Sequence, residues 1–118
     1  MPQATHIDQS YGTNQGNPTI NVTRPAAAAT SGRFVMVFMG SDTGVEGDMV
    51  LSSGSGAAWN LGYTGTLSGG GLKVRIWWKF TNGSEPASWS CTKTSGADTA
   101  YTCVVGQDGD TGSTHAFA

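Results

Sequence analysis

Residues 72–89 read LKVRIWWKFTNGSEPASW, and the way this stretch is oriented decides the fold. Two of the chain's four tryptophans and three of its six basic residues lie between Leu72 and Phe80, and an NGSEP turn follows. Such a mixture is typical of a binding face for sugar or nucleic acid. It is equally typical of one two-sided strand in a small β domain. Composition and periodicity in the rest of the chain favour the second interpretation.

The bulk composition predicts a single all-β domain. The chain has 118 residues, a net charge of −2 and only 12% charged residues, which argues against an electrostatic nucleic-acid binder. Glycine accounts for 18 residues, about double the usual share of roughly 7%. Short strands joined by many tight turns have this composition, and the length fits one modest core.

The N-terminal segment suggests where the protein acts. MPQATHIDQSYG lacks the basic and apolar regions of a secretory signal. No apolar run reaches the roughly 20 residues that cross a bilayer. We therefore expect a protein made and used in the cytosol, without a membrane partner. Residues 1–19 are polar and show no periodicity, so we expect an extended N-terminal arm ahead of one domain at residues 20–118.

Alternating patterns and apolar runs predict about seven or eight short strands. Their expected ranges are Thr19–Thr23, Phe34–Met39, Asp48–Ser52, Trp59–Tyr63, Thr64–Leu67, Leu72–Phe80, Ala87–Thr94 and Ala100–Val105. Phe34–Met39 is continuously apolar, which favours a strand buried on both faces. Ala26–Ala29 is too short for an isolated helix, so we expect a loop or an extended connection. The series predicts an antiparallel β-sandwich, jelly-roll-like in its connections.

The last two strands flank residues 95–99, which predicts a hairpin. Folding it about Ala97 places Cys91 opposite Cys103 on the face that we take as the core. Trp89, Tyr101 and Val105 share that face. Directly opposed strand positions fit disulfide geometry poorly, and a reducing compartment disfavours the bond. We expect two buried thiols, with a disulfide as the alternative.

Two loops carry clustered acids, at Asp42, Glu46 and Asp48 and at Asp108 and Asp110. Neither has the full ligand set of a calcium loop with its closing glutamate, and turn chemistry accounts for Asp-Gly pairs. We expect no bound metal, with calcium as the alternative.

The sequence contains few residues in arrangements suited to catalysis. His6 and His115 lie near opposite termini, away from ligand spacing to the cysteines. No motif joins serine, histidine and aspartate, and no glycine pattern precedes a helix. We expect a protein without catalytic residues or cofactors.

At strand period 2 the opening stretch divides into two faces. The apolar face, which we expect to line the core, consists of Leu72, Val74, Ile76 and Trp78. The cationic face, which we expect to point outward, consists of Lys73, Arg75, Trp77 and Lys79. Trp77 between two cations then suits contact with a sugar or a partner protein, and cover by the N-terminal arm is the alternative. The candidate contact residues are Arg75, Trp77, Lys79 and Trp59.

The order of several pieces resembles a β-sandwich module of virion proteins from tailed bacteriophages. The pieces are Arg24-Pro25, FVMVF at 34–38, WNLG at 59–62, the stretch at 72–89 and AYTCVVGQD at 100–108. The most specific piece is GSEPASW at 83–89. The likeness covers roughly residues 20–110.

This resemblance implies a non-enzymatic virion structural protein that is assembled in the host cytoplasm. A small stand-alone domain with a polar arm fits a capsid decoration (cement) protein, which binds the outer capsid surface and stabilises the head. The implied partners are the major capsid protein and further copies of the chain, a homotrimer being suggested. The alternative is a tail- or fibre-associated domain that binds a carbohydrate or a host receptor. A secreted adhesin module is a more distant interpretation.

Overall fold

The computed structural model describes residues 5–14, 17–42, 49–67, 71–93 and 98–107 as two antiparallel sheets. The strands are β1 (Thr5–Asn14), β2 (Thr19–Thr23), β3 (Phe34–Ser41), β4 (Val50–Leu51), β5 (Asn60–Thr66), β6 (Lys73–Phe80), β7 (Ser88–Thr92) and β8 (Thr99–Gln107). One sheet has the order β1-β8-β3-β6-β5 and the other β2-β7-β4. The all-β antiparallel sandwich that the sequence predicts is confirmed, and its jelly-roll connectivity stays a prediction.

The core lies between the two sheets and uses alternate residues of the inner strands. On β3 the inward residues are Val35, Val37 and Met39, each buried. The other sheet contributes its own alternate positions, and together they form one cluster. Its further members are Ile20, Val22, Ala28, Met49, Leu51, Trp77, Trp89, Cys91, Tyr101, Cys103 and Val105. The period of 2 that predicts the strands therefore also selects the core residues.

Most connections cross from one sheet to the other, so strands that are neighbours in sequence seldom pair. Within the described residues, β5 and β6 are the only consecutive strands that pair with each other. The predicted hairpin of the last two strands is wrong, because β7 and β8 belong to different sheets. Cys91 lies across from Ile20 and Leu51, whereas Cys103 lies across from Ser10 and Val37. The turn predicted at residues 95–99 falls largely outside the described residues.

The N-terminal residues belong to the five-stranded sheet. β1 pairs with β8 from Thr5 to Asn14, with a register shift between His6 and Asp8. The expectation of a separate arm over residues 1–19 is therefore corrected for this segment. Its polar side chains gave no periodic signal because β1 is an edge strand whose residues are exposed or half-buried. An edge position of this kind suits polar residues.

Two smaller expectations are also corrected. Ala26–Ala29 forms one turn of 3₁₀ helix after Pro25, with Ala28 buried in the core. The carboxylate of Asp8 accepts a hydrogen bond from the backbone N–H of Ala27 at 3.1 Å, which ties this turn to β1. The two short strands predicted around residues 59–67 are one continuous strand, β5, with a register shift between Leu61 and Tyr63.

Strand β6 has the opposite face inward from the one that we predicted. Trp77 pairs with the core residue Val37, and its side chain is only 5% exposed. Trp78 pairs with Met36 on the outer side of the sheet and is half-buried. The expectation that the cationic face points outward is therefore wrong. The reason is that Lys79 forms an ion pair with the buried carboxylate of Glu85 inside the sandwich.

Cys91 and Cys103 are free, fully buried thiols, as the sequence predicts. Cys91 donates to the sulfur of Met39 at 3.3 Å. Burial raises the pKa of both thiols to about 12. Neither sulfur therefore reaches solvent or carries a thiolate near neutral pH.

We predict that neither thiol of the native protein reacts with a disulfide reagent at neutral pH, because the nucleophile is the thiolate and both groups are buried and protonated. Spectrophotometric titration of the released thiol measures this. Two thiols per chain should react once concentrated guanidinium chloride unfolds the protein. Rapid reaction of either thiol in the native protein contradicts the prediction.

Candidate functional site

The charged end of Lys79 lies inside the sandwich among aromatic rings. The residue is 1% exposed, and its Nζ lies 4.1 Å from the ring centroid of Trp59 and 4.9 Å from that of Trp89. The same Nζ donates to the carbonyl of Ala57 at 2.9 Å and forms an ion pair with the buried carboxylate of Glu85. Facing aromatic rings stabilise a desolvated cation. Lys79 is thus an interior residue and is not available to an external partner.

Glu85 comes from the NGSEP turn, and its carboxylate is surrounded by donors. Oε1 accepts from the Nζ of Lys79 and from the indole N–H of Trp89 at 3.3 Å. Oε2 accepts from the backbone N–H groups of Ala57 at 3.0 Å and Asn82 at 3.2 Å. A buried charge is tolerated when it is paired and hydrogen-bonded in this way. The pair therefore joins β6, β7 and the turn between them to the loop before β5.

Two glycines allow the backbone to enclose this ion pair. A Cβ at Gly56 would stand 2.0 Å from Oε1 of Glu85, a distance that no side chain tolerates. Gly83 has φ +84°, the left-handed region that favours glycine. The guanidinium of Arg24 also donates to the backbone carbonyl of Glu85. Of the stretch GSEPASW, Glu85 thus supplies the buried carboxylate and Trp89 one of its donors.

The pKa values follow from burial and from this hydrogen bonding. Burial alone raises the pKa of Glu85, but Lys79 and the N–H groups of Ala57 and Asn82 outweigh it and hold the pKa below the ordinary value of 4.5. Burial lowers the pKa of Lys79, and the attraction of Glu85 opposes that change only in part. The carboxylate is therefore the form that the fold stabilises.

The other predicted contact residues are also engaged by the chain itself. Arg75 is half-buried and donates to the carbonyl of Met49 at 3.1 Å and to the hydroxyl of Thr64 at 3.2 Å. Trp59 is half-buried and packs edge-on against Trp89, with the ring centroids 5.1 Å apart. As a set, the four candidate residues therefore stabilise the domain interior. A surface for partners has to be sought elsewhere.

The outer side of the five-stranded sheet carries a partly exposed apolar surface. A groove runs across β3, β5 and β6, and we call it the outer groove. It is lined by Met36, Phe38, Asn60, Leu61, Gly62, Tyr63, Ile76 and Trp78. Phe38 is 39% exposed, Leu61 47% and Tyr63 46%. In register, Phe38 and Tyr63 lie on either side of Ile76, and exposed apolar side chains that adjoin in this way mark an interaction surface.

An aromatic cluster continues this surface at one end of the sheet. The rings of Phe34, Trp78 and Phe80 lie with their centroids 5.6 to 6.3 Å apart. Register places Phe34 beside Phe80 and Met36 beside Trp78, so the two central strands present apolar side chains in pairs. Aromatic pairs at such distances stabilise each other, which gives the surface a fixed shape.

Charge is absent from the described outer positions of the two central strands and of β8. These positions are Phe34, Met36, Phe38 and Gly40 on β3, Val74, Ile76, Trp78 and Phe80 on β6, and Ala100, Thr102, Val104 and Gly106 on β8. Depletion of charge is typical of the core of a protein interface. A nucleic-acid partner, by contrast, needs cations on the contact face.

Sequence reasoning missed these residues, although a signal was present. Phe34–Met39 is apolar at every position, and so is the outward set Val74, Ile76 and Trp78. A strand that is apolar on both faces needs cover on both faces. Among the described residues, the second sheet covers one face of the five-stranded sheet. The signal therefore indicated an outer apolar surface on β3 and β6.

The remaining sequence candidates give no site among the described residues. The carboxylate of Asp42 accepts from the backbone N–H of Asp98 at 2.9 Å, so it links the segment after β3 to the segment before β8. Within the part of the chain that the structure describes, no group of three or more potential ligands surrounds a metal position. In the same part, no helix has the length and apolarity to span a membrane. Glu46, Asp48, Asp108, Asp110 and His115 lie outside the described residues.

Comparison of the chain with models of protein families, with curated proteins and with solved structures finds no match. The outer groove and the sequence resemblance are therefore the features that bear on function. The buried ion pair bears on function indirectly, because it fixes which face of β6 lies outside.

We predict that Glu85→Gln destabilises the domain by about 3–5 kcal/mol, because it leaves the charge of Lys79 buried without its partner. Urea denaturation of the two proteins measures the difference. The matched control is Lys79→Met combined with Glu85→Gln, which removes both charges and should recover most of the loss. A loss below about 1 kcal/mol in the single variant contradicts the structural role of the ion pair.

We predict that the free energy of unfolding falls as the pH drops below the ordinary glutamate pKa of 4.5. The folded protein holds the pKa of Glu85 lower, so its contribution is fully present above 4.5 and is lost as the pH falls through the folded value. Asp8 contributes in the same direction, because backbone N–H groups of Ala27 and Gln9 lower its pKa.

The measurement is urea unfolding across this pH range for the wild type and for Glu85→Gln. The variant should retain only the part of the pH dependence that other carboxylates such as Asp8 contribute. Identical pH profiles for the two proteins would show that Glu85 does not titrate as described.

Proposed function

We propose that this protein is a non-enzymatic structural component of a bacteriophage virion that binds the outer surface of the capsid as a decoration protein. The observation that carries the proposal is the uncharged, partly exposed apolar surface formed by the outer groove and the aromatic cluster beside it. The resemblance of residues 20–110 to virion β-sandwich modules is the reason for proposing a bacteriophage virion as the particle. A wide apolar surface suits a lasting protein–protein contact within such a particle.

The exposed side chains of the groove have the character of interface anchors. Fully burying a side chain such as phenylalanine or leucine contributes about 1.5–3 kcal/mol of free energy. Because Phe38, Leu61 and Tyr63 are 39–47% exposed, burial in an interface would contribute roughly half of that free energy for each. Trp78 and Phe34 stand beside them, already half-buried and held by ring contacts. Little ordering remains for these two rings, and a prearranged surface loses less entropy on binding.

A second candidate function is carbohydrate or receptor binding by a tail- or fibre-associated domain. Asn60 brings an amide into the same groove as the rings of Tyr63 and Trp78. Aromatic faces beside a hydrogen-bonding amide are the chemistry that holds a sugar ring. The other lining residues are apolar or glycine, and a sugar site needs several polar groups for its hydroxyls. The protein partner is therefore the better fit.

The test of the proposal uses Phe38→Asp, which places a charge in the centre of the outer groove. Val50→Asp is the matched control, because Val50 is exposed on the other sheet. We expect wild type and Val50→Asp to co-sediment with purified heads of the phage that encodes the chain. Phe38→Asp should lose at least about tenfold in affinity, since a charge buried without a partner costs more than 1.4 kcal/mol.

Circular dichroism and thermal unfolding establish that both variants are folded. Equal binding of Phe38→Asp and wild type to heads would rule out the groove as the contact surface. Failure of the wild type to bind heads, together with quenching of tryptophan fluorescence by host polysaccharide, would favour the carbohydrate-binding function instead.

A further inference from the structure

The two described sheets of the sandwich end in four edge strands, and three of them carry a feature that disfavours further pairing. Side chains of β1 reach backbone carbonyls of β2: Ser10 donates to that of Thr23 at 2.5 Å and Asn14 to that of Thr19 at 2.6 Å. These bonds engage the backbone of β2, whereas β1 itself carries the charge of Asp8 beside a register shift. β4 consists of two residues, Val50–Leu51, and is too short to act as a pairing template.

β5 is the exception. It is seven residues long, Asn60–Thr66, and within the described part of the chain it pairs on one side only, with β6. Its sequence NLGYTGT contains no charge and no proline, and all of its residues except Gly65 are exposed. Charge, proline, short length and β-bulges are devices by which natural edge strands avoid pairing. β5 has only the last of these, a register shift between Leu61 and Tyr63, and another strand would bind the backbone of residues 60–65 on the side away from β6.

We propose that β5 pairs antiparallel with β5 of a second copy of this chain, so that two five-stranded sheets become one continuous sheet across a two-fold axis. The proposal names a partner and an interface that the capsid-binding function does not require, and it rests on a different observation.

The absence of charge favours a second copy as the occupant. When a strand pairs with itself, each side chain meets residues of the same strand, and a single charge would then meet its like across the axis. β5 brings only apolar, amide, hydroxyl and glycine positions to such a contact. Leu61 and Tyr63 are nearly half exposed and gain cross-strand neighbours in the pair. Backbone hydrogen bonds and apolar contact therefore act together.

Symmetry favours a dimer over the trimer that the resemblance suggested. Pairing of one strand with itself is isologous, so it closes after two copies and leaves no free template. A three-fold ring needs two different edges that fit each other. The second edge of the same sheet is β1, which carries the charge of Asp8 beside a register shift, whereas β5 carries no charge. The uncharged β5 edge therefore matches a second β5 better than it matches β1, and self-pairing gives a two-fold axis.

Dimerisation would also enlarge the outer groove. Leu61 and Tyr63 belong to the edge strand and line the groove as well. Two copies joined at β5 bring their grooves side by side across the axis. The apolar surface then becomes one continuous face made by both copies, without a change of fold in either.

Sedimentation equilibrium of the wild type is the first experiment, and we expect a concentration-dependent dimer. Leu61→Lys places two like charges near the axis and should weaken the dimer by about tenfold or more. Val50→Lys puts the same charge on the exposed β4 strand and should leave it unchanged. Hydrogen exchange gives a readout that needs no variant, because amides of β5 should exchange more slowly as the wild-type concentration rises, while those of β4 should not.

A wild type that stays monomeric at concentrations far above micromolar overturns the proposal. So does a dimer that Leu61→Lys leaves intact while β5 exchange is independent of concentration, because such a dimer uses another surface. Should Leu61→Lys fail to fold, the exchange experiment on the wild type decides alone. Phe38→Asp is expected to dimerise normally, so loss of head binding with an intact dimer separates this inference from the capsid-binding function.

Discussion

The buried ion pair between Lys79 and Glu85 determines the orientation of the strand on which the functional surface depends. Lys79 faces the core because Glu85, two tryptophan rings and a carbonyl surround its charge there. Since side chains alternate along a strand, Trp77 is then also inside, and Ile76 and Trp78 are outside. An arrangement that satisfies one buried charge thereby puts apolar residues on the surface. The outer groove follows from the interior chemistry.

The sequence predicts most of the strands after β1, the sandwich and the burial of both thiols, because all three depend on local alternation and composition. The predicted faces of β6 are wrong because the prediction places charged side chains in water, where most lysines lie. The competing principle is that a charge can be buried when it is fully paired. Glu85 was visible six residues after Lys79, but pairing between a strand and the turn beyond it has no periodic signature. The candidate contact set therefore moved from Trp77 and Lys79 to Phe38, Leu61 and Tyr63.

Strand partners were the other quantity that local patterns do not contain. Trp89 and Cys91 face the core whether β7 pairs with β8 or with β2, so alternation predicted the core face correctly and the hairpin wrongly. The same limit applies to β1. Its pairing with β8 joins residues about one hundred positions apart, such as Thr5 with Gln107, and an edge strand needs no apolar face to form it. Long-range pairing of this kind depends on the whole sandwich.

The close approach of Gly56 to Glu85 has an evolutionary consequence. Any side chain at position 56 would displace the carboxylate, so this glycine and its ion pair should change together or not at all. The residues involved follow a short pattern, Gly-x2-Trp at 56–59 and Lys-x5-Glu-x3-Trp at 79–89. The groove residues, by contrast, are free to diverge with whatever they bind. A distant relative of this chain would therefore be recognised by its interior pattern, even after its surface had come to bind a different partner.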